Sequence, residues 1–216
     1  MRLILFLLRS SFYLLYHQFA WTYDLVAAIV SLGRWKRWVL SALPYLEGRI
    51  LEIGYGPGHL QASLHSKGQS VFGLDESRQM ARQANRRLLK MGFRSNLSRG
   101  YAQHLPFPQG VFDTVIATFP SEYIFEQNTL LEARRVLLTG GRLIILPMAW
   151  ITGTHPLERL AAWLFRITGE APGEPKPISA AIRNQFTRAG FQVRDEIIKM
   201  EGSQVLVIIA TSVVQP

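Results

Sequence analysis

The 216-residue sequence predicts an α/β fold built on a doubly wound, mostly parallel sheet, and three observations carry that expectation. An apolar run, Arg49 to Ile53, gives way to glycines at alternate positions, Gly54, Gly56 and Gly58. That is the pattern of a strand-to-helix turn, where residues without a Cβ let a ligand approach and let backbone N–H groups reach it. A second apolar run, Val71-Phe72-Gly73-Leu74, ends in Asp75 about twenty residues later, at the carboxyl end of a neighbouring strand, where doubly wound sheets bind ligands. Finally, strand-like and helix-like segments alternate to about residue 147, as βαβ units do.

The elements follow in order. Residues up to about 46 read as helical, a lead-in distinct from a main domain over 47–216. In this lead-in Arg2, Arg9, Ser10, His17 and Asp24 fall on one narrow stripe and the rest of the surface is apolar. Arg9 and two serines interrupt the apolar run well short of the roughly 20 residues a membrane span needs, and no small-residue cleavage site marks a signal peptide. Two readings stay open, a helix packed over the ligand site or one lying in a membrane interface. Next come strand 49–54, helix 58–67, strand 70–75, helix 77–91 and a strand near 96–99. Strand 113–118 and helix 126–138, the latter ending at Gly140-Gly141 as a left-handed C-cap, lead to strand 142–147. A Pro/Gly-punctuated insertion occupies 149–177, with an amphipathic piece at 156–167. Strands 191–200 and 203–212 flank the short turn Glu201-Gly202-Ser203 as a terminal hairpin. The count is seven strands.

Composition excludes more than it assigns. With 48% hydrophobic residues the chain can bury one sizeable core. Cysteine is absent, which removes disulfides, thiolate-bound zinc and thiol catalysis, and the five histidines (17, 59, 65, 104 and 155) lack metal-ligand spacing, so no metal is expected. A net charge of +9 favours an anionic partner. The densest basic groups are Arg34, Lys36 and Arg37 beside Trp35 and Trp38, and Arg82, Arg86, Arg87 and Lys90 on the helix 77–91. No nucleic-acid-binding motif accompanies them.

The glycine spacing also argues about the ligand. A dinucleotide fingerprint would need its third glycine at position 59, where His59 stands, so a nicotinamide reading is weakened. The run from Glu52 to Gly58 instead resembles the (D/E)-x-G-x-G-x-G motif of class I S-adenosylmethionine-dependent methyltransferases. Gly73 to Met80 resembles the same family's G-x-D-x-S-x-x-M segment. Gly100 to Asp113 is similar to the G-D-A-x-x-L-P-F signature of the methyltransferase type 11 group, which includes the ubiquinone and menaquinone C-methyltransferases. Leu131 to Ile145 looks like its L-x-E-x-x-R-V-L-x-P-G-G-x-L segment. The matches span 49–146, with Tyr101 in place of an adenine-binding Asp and Thr139 in place of Pro.

The resemblance implies a Rossmann-like class I methyltransferase fold, a seven-stranded sheet whose last strand enters antiparallel, and S-adenosylmethionine as cofactor with S-adenosylhomocysteine as product. It implies that Gly54, Tyr55, Gly56 and Gly58 take the methionine portion, with Glu52 accepting from its ammonium and Tyr23 in contact with it. Asp75, flanked by Glu76, is matched to the ribose, Met80 and the Ala102-Gln103 backbone to the adenine, and Thr118 and Phe119 to the floor under the methyl. Asp75 also reads as a helix N-cap. Candidates for a base are Glu122, Tyr123 and His155, while His104 reads as a loop residue and Arg135 as an anchor of its helix to the sheet. The expected partner is a small, hydrophobic acceptor such as a quinone precursor or lipid. The chain is expected in the cytoplasm, with peripheral contact to an anionic membrane left open, nucleic acid disfavoured and the oligomeric state unset. A catalytically silent adenosyl-cofactor binding module and a nicotinamide-dependent reductase remain the alternatives.

Overall fold

The computed structural model describes residues 31, 33–153 and 178–213, and Tyr23, His155, the amino-terminal stripe and the piece at 156–167 lie outside them. Among these residues eight strands form one sheet: β1 (Arg49–Ile53), β2 (Ser70–Asp75), β3 (Leu97–Arg99), β4 (Phe112–Thr118), β5 (Leu137–Leu146), β6 (Ala149–Ile151), β7 (Phe191–Met200) and β8 (Ser203–Ser212). Among the described residues five α-helices accompany them: α1 (Trp35–Leu40), α2 (His59–Ser66), α3 (Arg78–Lys90), α4 (Gln127–Val136) and α5 (Ala180–Arg188).

The strands run β3-β2-β1-β4-β5 in parallel, and β8 then enters antiparallel. β8 pairs with β7 along 203–212, so β5 at 208–211 and β6 at 203–205 must share its other edge. β6 is thus an extension of β5 beyond a break at Pro147-Met148, and the sheet is seven strands wide. The expected insertion accordingly yields its first three residues, Ala149–Ile151, to the sheet.

Period-2 alternation sorts the side chains onto two faces. Ile50, Val71, Ile116, Ile144 and Val207 meet Trp38, Val39, Leu60 and Leu64 from α1 and α2. Leu51, Ile53, Val115, Leu143, Ile145 and Ile208 meet Leu130, Ala133, Val136 and Phe186 from α4 and α5. Each fully buried aliphatic contributes about 1.5–3 kcal/mol. α3 packs beside α2 and against β2 and β3, where Ala84 and Leu88 are buried.

Element boundaries follow local chemistry. Ser77 caps α3 by accepting from the Met80 N–H, and Ser179 caps α5 through the Ile182 N–H. The Asp75 cap is therefore corrected, because Ser77 holds that position. The lead-in is not one helix to residue 46: α1 ends at Leu40, and a 3-10 turn, Leu43–Tyr45, follows with Pro44 near its start. Nor does α4 reach Gly140. It stops at Val136, because Leu137 is extended and pairs with Phe112, and Gly140 (φ 76°) turns the chain inside β5. The segment 178–190, given no element by its sequence pattern, forms α5 around buried Phe186. Strand β7 and strand β8 form the expected hairpin, with Met200 opposite Ser203.

Candidate functional site

The site is built where β1, β2 and β4 end. Gly54, Gly56 and Gly58 have φ of 71°, 51° and 79°, a left-handed run that side chains with a Cβ rarely adopt. Three different spatial demands fall on them. A Cβ on Gly54 would lie 2.6 Å from the Tyr123 hydroxyl, and one on Gly58 would lie 2.8 Å from the Ala84 Cβ of α3. Among the described residues, a Cβ on Gly56 would meet nothing within 4 Å. The open approach is therefore over Gly56.

The N–H groups of the three glycines are already engaged within the fold, contrary to the sequence expectation that they reach a ligand. Gly54 N–H donates to the Leu74 carbonyl (2.7 Å), Gly56 N–H to Asp75 Oδ2 (2.9 Å) and Gly58 N–H to the Tyr55 carbonyl (3.0 Å). The turn has to satisfy its own buried donors first, so it offers a Cβ-free surface in place of a row of donors.

Asp75 ties the turn to α3. Its Oδ1 accepts from the Ser77 N–H (2.8 Å) while Oδ2 accepts from Gly56, leaving one lone-pair direction on each oxygen. Burial pushes this carboxyl up, opposed by the two backbone N–H groups, with Glu76 adding a small upward push. Glu76 itself is exposed.

Glu52 shares the face of Ile50 by strand alternation and lies beneath α2, at 1% exposure. Its Oε2 accepts from Gln61 Nε2 (2.8 Å), which also donates to the Phe72 carbonyl (3.2 Å). Desolvation pushes the Glu52 carboxyl up to about 8; the Gln61 bond pulls it down and Asp75 pushes it up. Gln61 Oε1 is buried without a partner among the described residues. Sequence reasoning missed Gln61, although an amide on the otherwise apolar inner face of α2, nine residues after Glu52, was the signal.

Other expected residues divide by where their side chains go. Tyr55 turns inward: it is 3% exposed, its ring rests on Gly73, and only its main chain remains at the turn. Phe119 also turns away. It carries the one positive φ outside glycine among the described residues (50°), and its ring packs on Trp35 at 4.6 Å and Trp38 at 6.3 Å. Thr118 ends β4, and the 3-10 turn Glu122–Phe125 then brings Tyr123 over Gly54 while Glu122 stays exposed. Burial and the charges of Asp75, Glu76 and Glu52 hold the Tyr123 phenol far above its ordinary value, so it is protonated.

On the β3 side, Ala102 is buried, Gln103 donates to Glu126 Oε2 (2.8 Å), and Met80 is half-buried at the start of α3. Tyr101 is 64% exposed and His104 is exposed. The loop after them is clamped from α4. Arg135 donates to the carbonyls of Leu105 (2.9 Å) and Phe107 (2.8 Å), and Glu132 accepts from both Arg135 and the Leu105 N–H. Arg135 thus anchors its helix to the loop 105–107, not to the sheet. Among the described residues no three His, Asp or Glu side chains are grouped to hold a metal, and no helix is long and apolar enough to cross a membrane.

Residues 50–141 match the family described as methyltransferase domain. The chain is 31% identical over 157 residues to a demethylmenaquinone methyltransferase of Thermobifida fusca, covering 67% of this chain and 64% of that protein. It is 31% identical over 159 residues to a ubiquinone/menaquinone biosynthesis C-methyltransferase of Syntrophotalea carbinolica, covering 70% and 65% respectively. The chain thus spans just under two thirds of the length of these relatives. Among solved structures, an S-adenosylmethionine-dependent methyltransferase from Methanosarcina mazei superposes with a TM-score of 0.56 at 21% identity, covering 81% of this chain and 98% of that one. Strand order, the antiparallel β8, the glycine turn tied to Asp75 and the matched span agree with one another, and the chain carries a class I S-adenosylmethionine-dependent methyltransferase domain.

Proposed function

We propose that this protein transfers a methyl group from S-adenosylmethionine to a small, hydrophobic acceptor of the quinone-precursor or lipid kind. The observation that carries the cofactor half is the Cβ-free opening over Gly56, bordered by the carboxylate of Asp75 with Glu52 beneath. The surroundings suit a cofactor with two cationic centres, an ammonium and a sulfonium. The acceptor half is supported by the relatives, which are named for demethylmenaquinone and for ubiquinone/menaquinone biosynthesis.

When bound, the sulfonium supplies an activated methyl group, so this chain's own work is positioning. Gly54 to Gly58 give the methionine portion a surface without side chains, and Glu52 answers its ammonium from below. The free lone pairs of Asp75 accept the two ribose hydroxyls, and the backbone at Ala102 and Gln103 borders the adenine. Thr118 and the main chain of Phe119 border the methyl. Tyr123, being protonated, serves there as a hydrogen-bond donor and closes the site over Gly54.

Titration calorimetry with S-adenosylhomocysteine and with NAD, followed by labelled methyl transfer to a panel of quinone precursors and lipids, tests the reading. Binding of S-adenosylhomocysteine alone and transfer to an apolar acceptor are expected. Asp75→Ala should weaken that binding by roughly tenfold or more, and Glu76→Ala by much less, since each charge-assisted hydrogen bond contributes about 1.5–3 kcal/mol. Tight NAD binding would make the chain a reductase, and cofactor binding without transfer would make it a silent module.

A further inference from the structure

We infer that the helical layer α1-α2-α3 is a docking surface for an anionic phospholipid bilayer. The charge distribution is one-sided. Residues 34–40, 58–68 and 77–94, which build this layer, hold ten Lys or Arg and no Asp or Glu. No carboxylate occurs anywhere between Glu76 and Asp113. The layer alone therefore exceeds the chain's formal net charge of +9.

The arrangement on α3 is specific. Arg78, Arg82, Arg86 and Lys90 recur at i, i+4 spacing, opposite buried Ala84 and Leu88, and all four are exposed. Among the described residues none of the four has a hydrogen-bond or ion-pair partner. Like charges at that spacing repel along the helix, so the stripe is unfavourable in isolation and is relieved by a facing anionic surface. A shallow hollow lined by Gln83, Arg86, Arg87, Lys90 and Met91 lies on its flank, with a shape and charge suited to a headgroup phosphate. Exposed Lys36 of α1 and Lys67 after α2 continue the basic surface, while Arg37 between them faces the exposed carboxylate of Glu201 at 3.9 Å.

Two apolar side chains select lipid over nucleic acid. Leu89 is 67% exposed and Met91 47% exposed, both beside the stripe, where they can enter the acyl boundary. No exposed ring accompanies the stripe on α3, so the stacking platform that single-stranded nucleic acid uses is missing from it. Lying flat on this layer, the domain keeps the carboxyl ends of its strands at the rim of the contact, within reach of an apolar molecule leaving the bilayer. The inference rests on charge and exposure and does not depend on the acceptor proposed above.

Sedimentation of the full chain with phosphatidylcholine vesicles, with and without one third phosphatidylglycerol, tests it. Binding to the anionic vesicles alone, weakened by high salt, is expected. The triple variant Arg82→Glu, Arg86→Glu, Lys90→Glu should lower the partition coefficient at least about tenfold, since each basic residue near such a surface counts appreciably. Its neutral counterpart with Gln at the three positions should fall between, and it decides the matter if the charge-reversed protein fails to melt cooperatively. Leu89→Gln with Met91→Gln should weaken binding severalfold, and S-adenosylhomocysteine affinity should be retained throughout. The inference is overturned if the full chain ignores anionic vesicles or if the triple variant binds them as the parent does. It is equally overturned if single-stranded RNA displaces the vesicles.

Discussion

Glu52 and Gln61 show what a single buried pair asks of the protein. A carboxyl at 1% exposure with one amide donor is easier to keep neutral than charged, and it titrates near 8 against an ordinary 4.5. Between those values the folded chain holds a proton that the unfolded chain has released. Stability contributed by this group is therefore fully present below about 4.5, falls as pH rises through the window, and is gone above about 8. A cofactor ammonium favours the carboxylate, so binding should expel the proton and tighten as pH climbs through the same window. Calorimetry with S-adenosylhomocysteine in two buffers of different ionisation heat should show release of up to about one proton near pH 7, and none for Glu52→Gln. Equal proton counts for the two proteins would place the ammonium away from Glu52.

Among elements, α4 does the least expected work, because its Arg135-Glu132 pair serves a loop. The guanidinium forks onto two carbonyls and a carboxylate, a geometry that lysine cannot reproduce. Arg135→Lys should cost about 1–2 kcal/mol in urea unfolding, less than the sum of its bonds because both side chains are partly solvated. It should also weaken S-adenosylhomocysteine binding severalfold through the loop beside Ala102; unchanged unfolding would mean that water replaces the fork. The strand segments were legible in the sequence because alternation and apolar runs are local signals, whereas their order in the sheet, set by long-range pairing, was not. Asp75 and the glycines were legible for the same reason. The hydrogen bonding of the turn was not: that Gly56 would spend its N–H on Asp75 depends on two strands lying side by side. The inward turn of Tyr55 depends likewise on β3 being present to receive it. Helix α5 escaped because its apolar signal is a few residues long, and Phe186 buries itself only once β7 is in place.

At the scale of the molecule, β8 closes the sheet. Among the described residues it is the one strand paired on both edges by antiparallel neighbours, Ile208 lying between Ile145 and Asp195. Ile208→Pro removes a ladder donor in the middle of this arrangement and should abolish cooperative unfolding, in a domain with an expected stability of only about 5–15 kcal/mol. Ile208→Val, at a position with 0% exposure, should cost about 0.5–1.5 kcal/mol and leave the transition two-state. A folded proline variant would mean that β7 does not depend on β8 for its place. Phe119 joins the two halves of the molecule in another way. Its backbone would be more comfortable with glycine, and its ring is useful only because α1 stands on the same face of the sheet. The chain therefore carries a local frustration, a residue chosen against its own conformational preference for the sake of a distant neighbour. A redesign that optimised each position separately would place glycine at 119, gaining a relaxed turn and unlatching α1 from the loop that holds Tyr123 over the site.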